Sequence, residues 1–580
     1  MDESALYCAV PSSLFAVTRD RALALTQDGE LCEVGSVAGR LLGQCQGWKT
    51  IQEHALAAWR SGVTADPQAL ATAVDELMQS GLLRKLDVPD GSVQGPDGAG
   101  IDSVAFVTAD RPDMISRGLA SAARHAAQFG RRPQFVVIDG SESLARETQV
   151  AAHAAAQASG CDVEYIGRQE SATLFRTMAK EGISPQVLDF AASPGPIGRN
   201  RNAALLRTAG ERLLMIDDDI LCDPWVPTGT DAAVRIVGHV DTREWRFFPS
   251  RAEALSAVAH VELDVFAAHG NLLGRPLSVL LRGAGLEHAC AHIVSSATAG
   301  LDPAVRVTMA GLAGDSARYC PHRLLFLPGP LHELFKSEPA TLATALSSRE
   351  VHNVARSTTV THDAMCMSYC VGIDNGHLVP PFMPIGRGED SVFGAMLGYA
   401  DRLALFAHLP FGVLHDSSRA SAYGSDEMPS ARQTRLSEVL LALTGDAVRF
   451  VVSDSVAQRL VRLGQYLVDL GQVPGQEFIA LVTRVALRLR CSQLDQLETS
   501  LASASGDLTR LRSALDEYRS VFRSSTSSPS FFLPLEFRGT GSIDDGFRRM
   551  QTFMTDFGSL IRLWPDIWEA AAVANAQRSR

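Results

Sequence analysis

Three consecutive carboxylates, Asp217 to Asp219, directly follow the apolar run Leu213–Ile216. A short apolar run of this kind is typical of a buried strand, so the pattern predicts three carboxylates at a strand end. Like charges held together repel one another unless a cation neutralises them. Mg²⁺ or Mn²⁺ prefers oxygen ligands and keeps coordination positions open for the phosphates of a substrate. The spacing of Asp217 and Asp219 therefore favours a divalent metal site, with an acidic surface loop as the alternative.

A second acidic pair, Glu389 and Asp390, lies in the segment "GRGEDS", before an apparent helix that begins at Ser391. This pattern predicts that both carboxylates are held at a helix N-terminus, exposed and ionised. A positioned carboxylate can accept a proton from a reacting hydroxyl group. A helix cap without a catalytic role is the alternative.

The composition is that of an ordinary globular protein, with 46% hydrophobic and 20% charged residues over 580 positions. A net charge of −12 argues against a general nucleic-acid-binding protein, because such proteins neutralise phosphates with clustered Lys and Arg. The N-terminal segment "MDESALYCAV" lacks the basic start and apolar core of a signal peptide. No apolar run approaches the roughly 20 residues of a membrane span. We therefore expect a soluble, cytoplasmic protein.

The Gly- and Pro-rich segment 87–100 has almost nothing to bury and predicts a linker after an N-terminal unit, residues 1–86. Within that unit, Asp28-Gly29 favours a tight hairpin turn. Two segments with apolar residues at three- and four-residue spacing follow, which predicts helices. The outline is that of a winged helix.

Beyond the linker, strand-like and helix-like segments alternate, which predicts an α/β fold with a parallel sheet covered by helices. Ligands are expected at the carboxyl ends of such strands, where Thr108, Asp139 and Asp217 would stand. We assign residues 101–430 to this domain and residues 431–580 to a helical C-terminal region, since leucines with intervening charges dominate there.

Four strand-end motifs, in order, resemble the nucleotide-sugar half of a GT-A fold (Rossmann-like) glycosyltransferase of the family 2 type. They are "TADRP", Asp139 in "VVIDGS", "GPIGRNRNAALL" and "MIDDD", and they cover about residues 102–225. The resemblance implies a UDP- or GDP-sugar donor. The residues that would bind it are Thr108, Arg111, Asp139, Arg199, Asn200 and Asp218. Independently, Arg199 and Arg201 could pair with phosphates through their guanidinium groups, or form surface salt bridges.

The same resemblance implies roles for the remaining candidates. Asp217 and Asp219 would hold Mn²⁺ or Mg²⁺, and His415, which ends a later apolar stretch, would complete the metal site as a neutral imidazole. Asp390 would be the general base toward the acceptor hydroxyl, with Glu389 as the second candidate. The implied reaction is an inverting, hexosyltransferase-like transfer.

The N-terminal unit resembles a PqqD-like peptide-recognition domain through "LTQDGELCEVGSVAGRLLGQCQGWKTIQEHA" and "ALATAVDELMQSGLL". Such a domain would recruit a ribosomally made precursor peptide by adding a strand to its hairpin edge. A plain docking module is the alternative.

These patterns together predict a metal-dependent glycosyltransferase that acts on an acceptor recruited by residues 1–86. A phosphatase with an aspartyl nucleophile fits less well, because its motif needs Thr or Val two residues after the second aspartate of an Asp-x-Asp pair, where Leu221 stands here. A phosphate-binding P-loop is absent from the sequence. The alternative from another class is a non-catalytic GT-A-like scaffold or peptide-binding partner.

Overall fold

A computed structural model describes most of the chain. The described residues are 5–85 without 11, 27–29, 46–47 and 65; 100–281 without 181 and 239–241; 303–318, 321 and 324; 330–424; 433–447; 455–502; 512–513, 516 and 519–520; and 529–578 without 540. The proposed linker therefore falls almost entirely outside the described residues, as does the predicted Asp28-Gly29 turn.

The N-terminal unit contains two small sheets and three helices. Its elements are β1 Leu6–Ala9, β2 Ser12–Ala16, β3 Arg21–Thr26, β4 Leu31–Gly35, α1 Ser36–Gln44, β5 Lys49–Thr50, α2 Ile51–Arg60, α3 Pro67–Gln79 and β6 Leu83–Lys85. The strands pair as β2-β3-β4 and β5-β1-β6. Helix α2 begins where the hydroxyl of Thr50 accepts the amide of Glu53 and the Glu53 carboxylate accepts the amide of Thr50, a capping box. The predicted hairpin is confirmed by the antiparallel pairing of β3 with β4.

The next segment alternates strands and helices as predicted. Its elements are β7 Ser103–Thr108, α4 Pro112–Gln128, β8 Gln134–Asp139, α5 Ala145–Ser159, β9 Val163–Ile166, α6 Arg168–Lys180, α7 Pro185–Ala192, α8 Ile197–Arg207 and β10 Arg212–Asp217. Strands β9, β8, β7 and β10 are adjacent and parallel. Thr108 lies opposite Asp139, and Asp217 lies opposite Val107, so these strand ends meet at one edge of the sheet.

The elements that complete the sheet come from a longer and more irregular part of the chain. They are β11 Ile220–Val226, β12 Val234–Val237, β13 Arg243–Phe247, α9 Arg251–Ser256, β14 Ala259–His260, α10 Val265–Gly270, α11 Leu277–Leu280, β15 Ala304–Asp315, α12 Pro330–Ser337, α13 Pro339–Ser347, β16 Glu350–Ala355, β17 Thr358–Thr361, β18 Cys370–Asp374, α14 Glu389–Ala400 and β19 Ala404–His415.

The thirteen-stranded sheet has the main order β12-β17-β19-β15-β18-β10-β7-β8-β9. Strand β18 runs antiparallel to both β10 and β15, whereas β15 and β19 are parallel. The α/β prediction is therefore confirmed, but the sheet is mixed and not purely parallel. Long strands β15 and β19 bring Asp315 and His415 to the same edge as Asp217, because Gly314 lies opposite His415 and Ile220 pairs with His415 as well.

The C-terminal helices are α15 Leu436–Ala447, α16 Val456–Gly471, α17 Gly475–Ala502 and α18 Ile543–Arg578. Among the described residues this region is helical, as predicted. It shares one hydrophobic cluster with the sheet, because Leu463 and Trp564 lie in the cluster that contains Met215. Trp564 also donates its indole N–H to the Val379 carbonyl at 2.7 Å. The C-terminal helices therefore help to cover the face of the sheet that carries Met215.

The N-terminal unit has its own core, but it also contacts the large sheet. Cys8 and Trp48 are buried in a cluster with Ile236, Val305 and Leu405. Residues 5–85 are thus fixed on the β12-β17-β19 side of the sheet by apolar contacts. In the described part of the chain, no helix is both long enough and apolar enough to cross a membrane.

The buried His269, on α10, should make the folded protein less stable in acid. His269 is fully buried and bonds Thr308 Oγ1 at 2.7 Å, and burial lowers the pKa of His269 to about 3. The unfolded chain binds this proton near pH 6.5 and the folded chain does not, so stability falls as the pH drops below 6.5. At pH 4.5 the loss from this group is about 3 kcal/mol.

The variant H269Q should show a correspondingly smaller loss of unfolding free energy between pH 7 and 4.5 in urea titrations. The exposed His153 on α5 offers the matched control, since H153Q removes an imidazole that is not buried. Equal pH dependence of all three proteins would contradict the assignment to His269.

Candidate active site

A cleft of about 700 Å³ opens at the carboxyl ends of β7 and β10. Its lining includes Thr108, Arg111, Asn200, all three aspartates of the triplet and His415. Sequence reasoning selected each of these residues separately, and the mixed sheet brings them together because the ends of β7, β10 and β19 meet there.

The middle and last aspartates are fixed by the end of β7. Asp218 accepts the Thr108 hydroxyl at 2.6 Å and an Arg111 N–H at 2.6 Å, and the same guanidinium reaches Asp219 at 2.7 Å. Burial raises the pKa of Asp218 to about 7, against the opposing charge of Arg111. Helix α4 lies directly behind, since a Cβ at Gly118 would stand 2.7 Å from the Asp218 carbonyl oxygen. Any larger residue at position 118 would clash with the backbone of the triplet, so this close packing requires glycine.

Asp217 is held from the other side by a buried arginine. Arg201 is 1% exposed, and it donates to Asp217 at 2.8 Å and to Glu389 at 3.3 Å. It also donates to the Ser368 carbonyl at 3.2 Å. The expectation that Arg201 binds phosphate or lies in a surface salt bridge is therefore wrong, because its guanidinium is used inside the protein to balance carboxylates.

His415 joins the last aspartate to strand β15. Its Nδ1 lies 2.5 Å from the Asp315 carbonyl oxygen, and its Nε2 lies 3.2 Å from Asp219. Burial opposes the charged imidazole, but the Asp219 carboxylate outweighs it and raises the pKa of His415 to about 9. The Asp219 pKa is lowered, since its ion pairs with His415 and Arg111 outweigh the effect of burial.

A second cleft of about 1040 Å³ adjoins the first and contains Glu389 and Asp390. Helix α14 begins at Glu389, after Gly388 with a positive φ of 83°. Glu389 is only 4% exposed and Asp390 is partly buried, so the expectation of two exposed carboxylates is wrong. Burial raises the pKa of both carboxyls, while Arg201 acts in the opposite direction.

The two clefts form one groove, because four residues line both. They are Ile197, Asp217, Ala317 and Arg387. Asp217 thus lies between the other two aspartates of the triplet on one side and the Glu389–Asp390 pair on the other.

Two of the expected nucleotide-binding residues do not line this groove. Asp139 is buried, and its carboxylate accepts hydrogen bonds from the amide and hydroxyl of Ser141 and from the Tyr165 hydroxyl. Arg199 points instead toward the ring of Phe190, 5.9 Å from its centroid. Both residues therefore organise the loops beside the cleft in this structure.

Asn200 lines the cleft but its amide is already engaged. Its side chain accepts the Gly195 amide at 3.0 Å and donates to the Thr108 carbonyl at 3.1 Å. A Cβ at Gly140 would come within 2.6 Å of the same side chain. Asn200 therefore ties the loop before α8 to the end of β7.

The groove residues that sequence reasoning missed include Ala317, Arg387 and Arg419. The two arginines are exposed, and neither has an ion pair within the described part of the chain. They place positive charge beside the triplet, where the anionic part of a ligand would be attracted. The Gly-Arg-Gly-Glu-Asp segment could have drawn attention to Arg387, whereas no pattern marks Ala317 or Arg419.

The buried charges around Arg201 make a prediction about stability. R201M leaves Asp217 and Glu389 without their common partner, and loss of one member of a buried pair typically costs about 3–5 kcal/mol. Arg131 pairs with Asp264 but is 44% exposed, so R131M should cost only about 0–1 kcal/mol. Urea unfolding of both variants measures the difference. Similar losses would show that the Arg201 cluster is not a buried ion-pair network.

Comparison with known proteins adds no assignment to this geometry. No protein-family model matches the chain, and no curated protein matches it.

Proposed function

We propose that the protein is a metal-dependent glycosyltransferase of the GT-A type that transfers a glycosyl group from a UDP- or GDP-sugar. The observation that carries this proposal is the continuous groove, with an acidic triplet at one end and a carboxylate pair at the other. A transferase needs such an arrangement, because the leaving diphosphate and the attacking hydroxyl lie on opposite sides of the reacting carbon. The parallel strands β9-β8-β7-β10, with the triplet at their carboxyl ends, support the fold assignment.

The donor atoms of the triplet fit a divalent cation. Within the described residues, no three His, Cys, Asp or Glu side chains form a ready metal site. Mg²⁺, however, is usually bound through one or two carboxylates together with substrate phosphates, so Asp217 and Asp219 suffice for Mg²⁺ or Mn²⁺ if a diphosphate completes the site. His415 Nε2 faces Asp219 and its Nδ1 faces a backbone carbonyl, but the Asp219 carboxylate raises the pKa of His415 to about 9. The imidazole is therefore protonated at neutral pH and not neutral as expected, and a bound cation would have to displace its proton before His415 could serve as a ligand. When bound, the cation supplies positive charge to the leaving diphosphate.

The chain's own residues supply the other parts of the reaction. Arg387 and Arg419 attract the negative charge of the diphosphate. Asp390 accepts the proton of the acceptor hydroxyl as that oxygen bonds to the anomeric carbon and the bond to the diphosphate oxygen breaks. Its raised pKa makes it a stronger base than an ordinary aspartate. Because the base and the diphosphate occupy different clefts, we infer attack from the opposite face and inversion at the anomeric carbon.

Calorimetric titration of the full chain with UDP and with GDP, with and without Mn²⁺, tests this proposal. We expect one of the two nucleotides to bind only when Mn²⁺ is present, and the corresponding nucleotide sugar to be hydrolysed slowly. Absence of metal-dependent binding by both nucleotides would overturn the assignment.

One observation favours the non-catalytic scaffold as a second candidate. Arg111, Arg201 and His415 already pair with the three aspartates, so the triplet is balanced without a metal. A scaffold would keep this charge balance and bind no nucleotide in the titration above. Binding without hydrolysis of any nucleotide sugar would indicate a sugar-nucleotide-binding scaffold.

We further propose that the N-terminal hairpin recruits a peptide acceptor, as the PqqD-like resemblance implies. Strand β2 is an edge of its three-stranded sheet in the described residues, and it exposes Phe15 by 52% and Leu14 by 39%. Val17, directly after β2, and Leu31, on β4 of the same sheet, are exposed by 54% and 61%. An open strand edge flanked by apolar side chains is suited to binding an extended peptide.

Selection from a random peptide library with the full chain tests the recruitment. We expect the selected peptides to bind F15S about tenfold more weakly or worse, since aromatic anchors dominate such contacts. Trp59 is 60% exposed on α2 outside the hairpin, so W59S is the matched control and should bind normally. Equal affinity of F15S and wild type would contradict peptide recruitment by this hairpin.

A further inference from the structure

Ala317, at the junction of the two clefts, has a backbone conformation that is unusual for alanine. Two non-glycine residues in the described part of the chain have a positive φ, Asp110 at 54° and Ala317 at 58°. Aspartate adopts this conformation comparatively often, and the Asp110 carboxylate accepts the amides of Ser143 and Leu144. Alanine has no side-chain group that could compensate. Strain of this kind persists where the surroundings impose it, and it is common at functional sites.

Hydrogen bonds on both sides of Ala317 hold its backbone in this positive-φ conformation. The Ala317 amide donates to the buried Asp315 carboxylate at 2.9 Å, and that carboxylate also accepts the Ser417 hydroxyl at 2.6 Å. On the other side, the Ser316 amide donates to the Arg349 carbonyl at 2.8 Å. The Arg349 side chain in turn donates to the Arg318 carbonyl at 2.6 Å. The turn is therefore held on both sides of Ala317, and its methyl group has a fixed position.

The Ala317 methyl group lies where the proposed function requires the glycosyl ring. Under the proposed function, the diphosphate lies beside the triplet and the acceptor hydroxyl lies beside Asp390. The glycosyl ring must therefore lie at the junction, which is lined by Ile197, Asp217, Ala317 and Arg387. Among these four, Ala317 has the smallest side chain, and Arg387 is exposed.

We propose that Ala317 is a specificity-determining residue that keeps the junction open for a hexosyl ring. This inference rests on the proposed function and adds to it a residue that limits the size of the glycosyl group. The left-handed backbone disfavours β-branched and bulky side chains at this position, so the fold itself keeps the side chain small. A larger side chain here would occupy the space of the glycosyl ring and leave the nucleotide end of the groove unchanged.

The variants A317N and A317G separate size from backbone strain. Asparagine and glycine both tolerate a positive φ, so neither should lower the thermal unfolding midpoint, whereas only asparagine fills the junction. Ala172 is exposed on α6 and lines neither cleft, so A172N controls for the general effect of replacing alanine by asparagine.

Titration calorimetry with Mn²⁺ then compares UDP with UDP-glucose and GDP with GDP-mannose on each protein. For the nucleotide that binds wild type, we expect A317N to keep the diphosphate affinity and to bind the nucleotide hexose about tenfold more weakly or worse. A172N should bind both ligands as wild type does, and A317G, which adds no bulk, should not show the selective loss of nucleotide-hexose affinity. If A317N binds the nucleotide hexose like wild type, the size limit is overturned while the transferase proposal stands. If wild type binds neither diphosphate with Mn²⁺, the proposed function fails and this inference fails with it.

Discussion

Replacing Asp217 and Asp219 together by asparagine is expected to abolish metal-dependent hydrolysis of the nucleotide sugar. Asparagine keeps the shape of the side chain but removes the negative charge that a divalent cation requires from its carboxylate ligands. We expect the rate to fall to the background level, a loss of about 10³-fold or more if electrostatic stabilisation of the leaving group depends on the cation. Hydrolysis assays across a range of Mn²⁺ concentrations measure this effect.

Asparagine is preferable to alanine at both positions because these carboxylates are not simple surface groups. Asp217 balances the buried Arg201, and Asp219 pairs with both Arg111 and His415. Asp223 lies on the same stretch of chain but is 53% exposed, so D223N is the matched control and should retain full activity. Wild-type turnover by the double variant with added Mn²⁺ would show that the metal assignment is wrong.

The sequence predicted the strands well where local patterns determine them. The apolar run before Asp217 forms β10, and the segments before Thr108 and Asp139 form β7 and β8. Each run is short, apolar and followed by polar residues, which is the pattern of a buried strand in an α/β fold. The alignment of their carboxyl ends follows from parallel pairing, so the approximate place of the site was predictable as well.

The sequence did not predict which residues each of these side chains would contact in the folded protein. Arg199 and Arg201 are two residues apart on α8, yet Arg201 is buried among carboxylates while Arg199 faces Phe190. A helix turns by about 100° per residue, so residues two apart point in different directions, and tertiary packing decides which one faces the site. Asp139 is a similar case, because Tyr165, which donates its hydroxyl to one carboxylate oxygen, comes from β9, 26 residues later in the chain.

The burial of Glu389 and the role of Ala317 depend on contacts that are distant in the sequence. Glu389 is covered because Arg201, 188 residues earlier, reaches it from α8. Ala317 is held by Arg349 and by the Asp315–Ser417 hydrogen bond. Long-range pairing of this kind follows from the order of strands in the mixed sheet, which a single sequence does not reveal.

Within the carboxylate pair, the geometry distinguishes a base from a positioning residue. Glu389 pairs with Arg201, whereas Asp390 accepts the Ser391 amide at 2.7 Å and lies 3.5 Å from the Ser368 hydroxyl. Asp390 is also more accessible than Glu389 from the second cleft. Under the proposed function, Glu389 would hold Arg201 in place, and Asp390 would be the group that reaches an acceptor.

D390N should therefore lower kcat for hydrolysis of the nucleotide sugar by about 10²–10⁴-fold, the usual contribution of a general base. Its affinity for the nucleoside diphosphate with Mn²⁺ should stay close to that of wild type, because the proposed function places the nucleotide in the other cleft. E389Q, the neighbouring control, should mainly lower stability, because it weakens the ion pair with Arg201. Steady-state hydrolysis, nucleotide titration and urea unfolding of both variants separate these effects. An unchanged kcat for D390N would remove Asp390 from the mechanism, and a large loss of kcat for a stably folded E389Q would assign the proton transfer to Glu389.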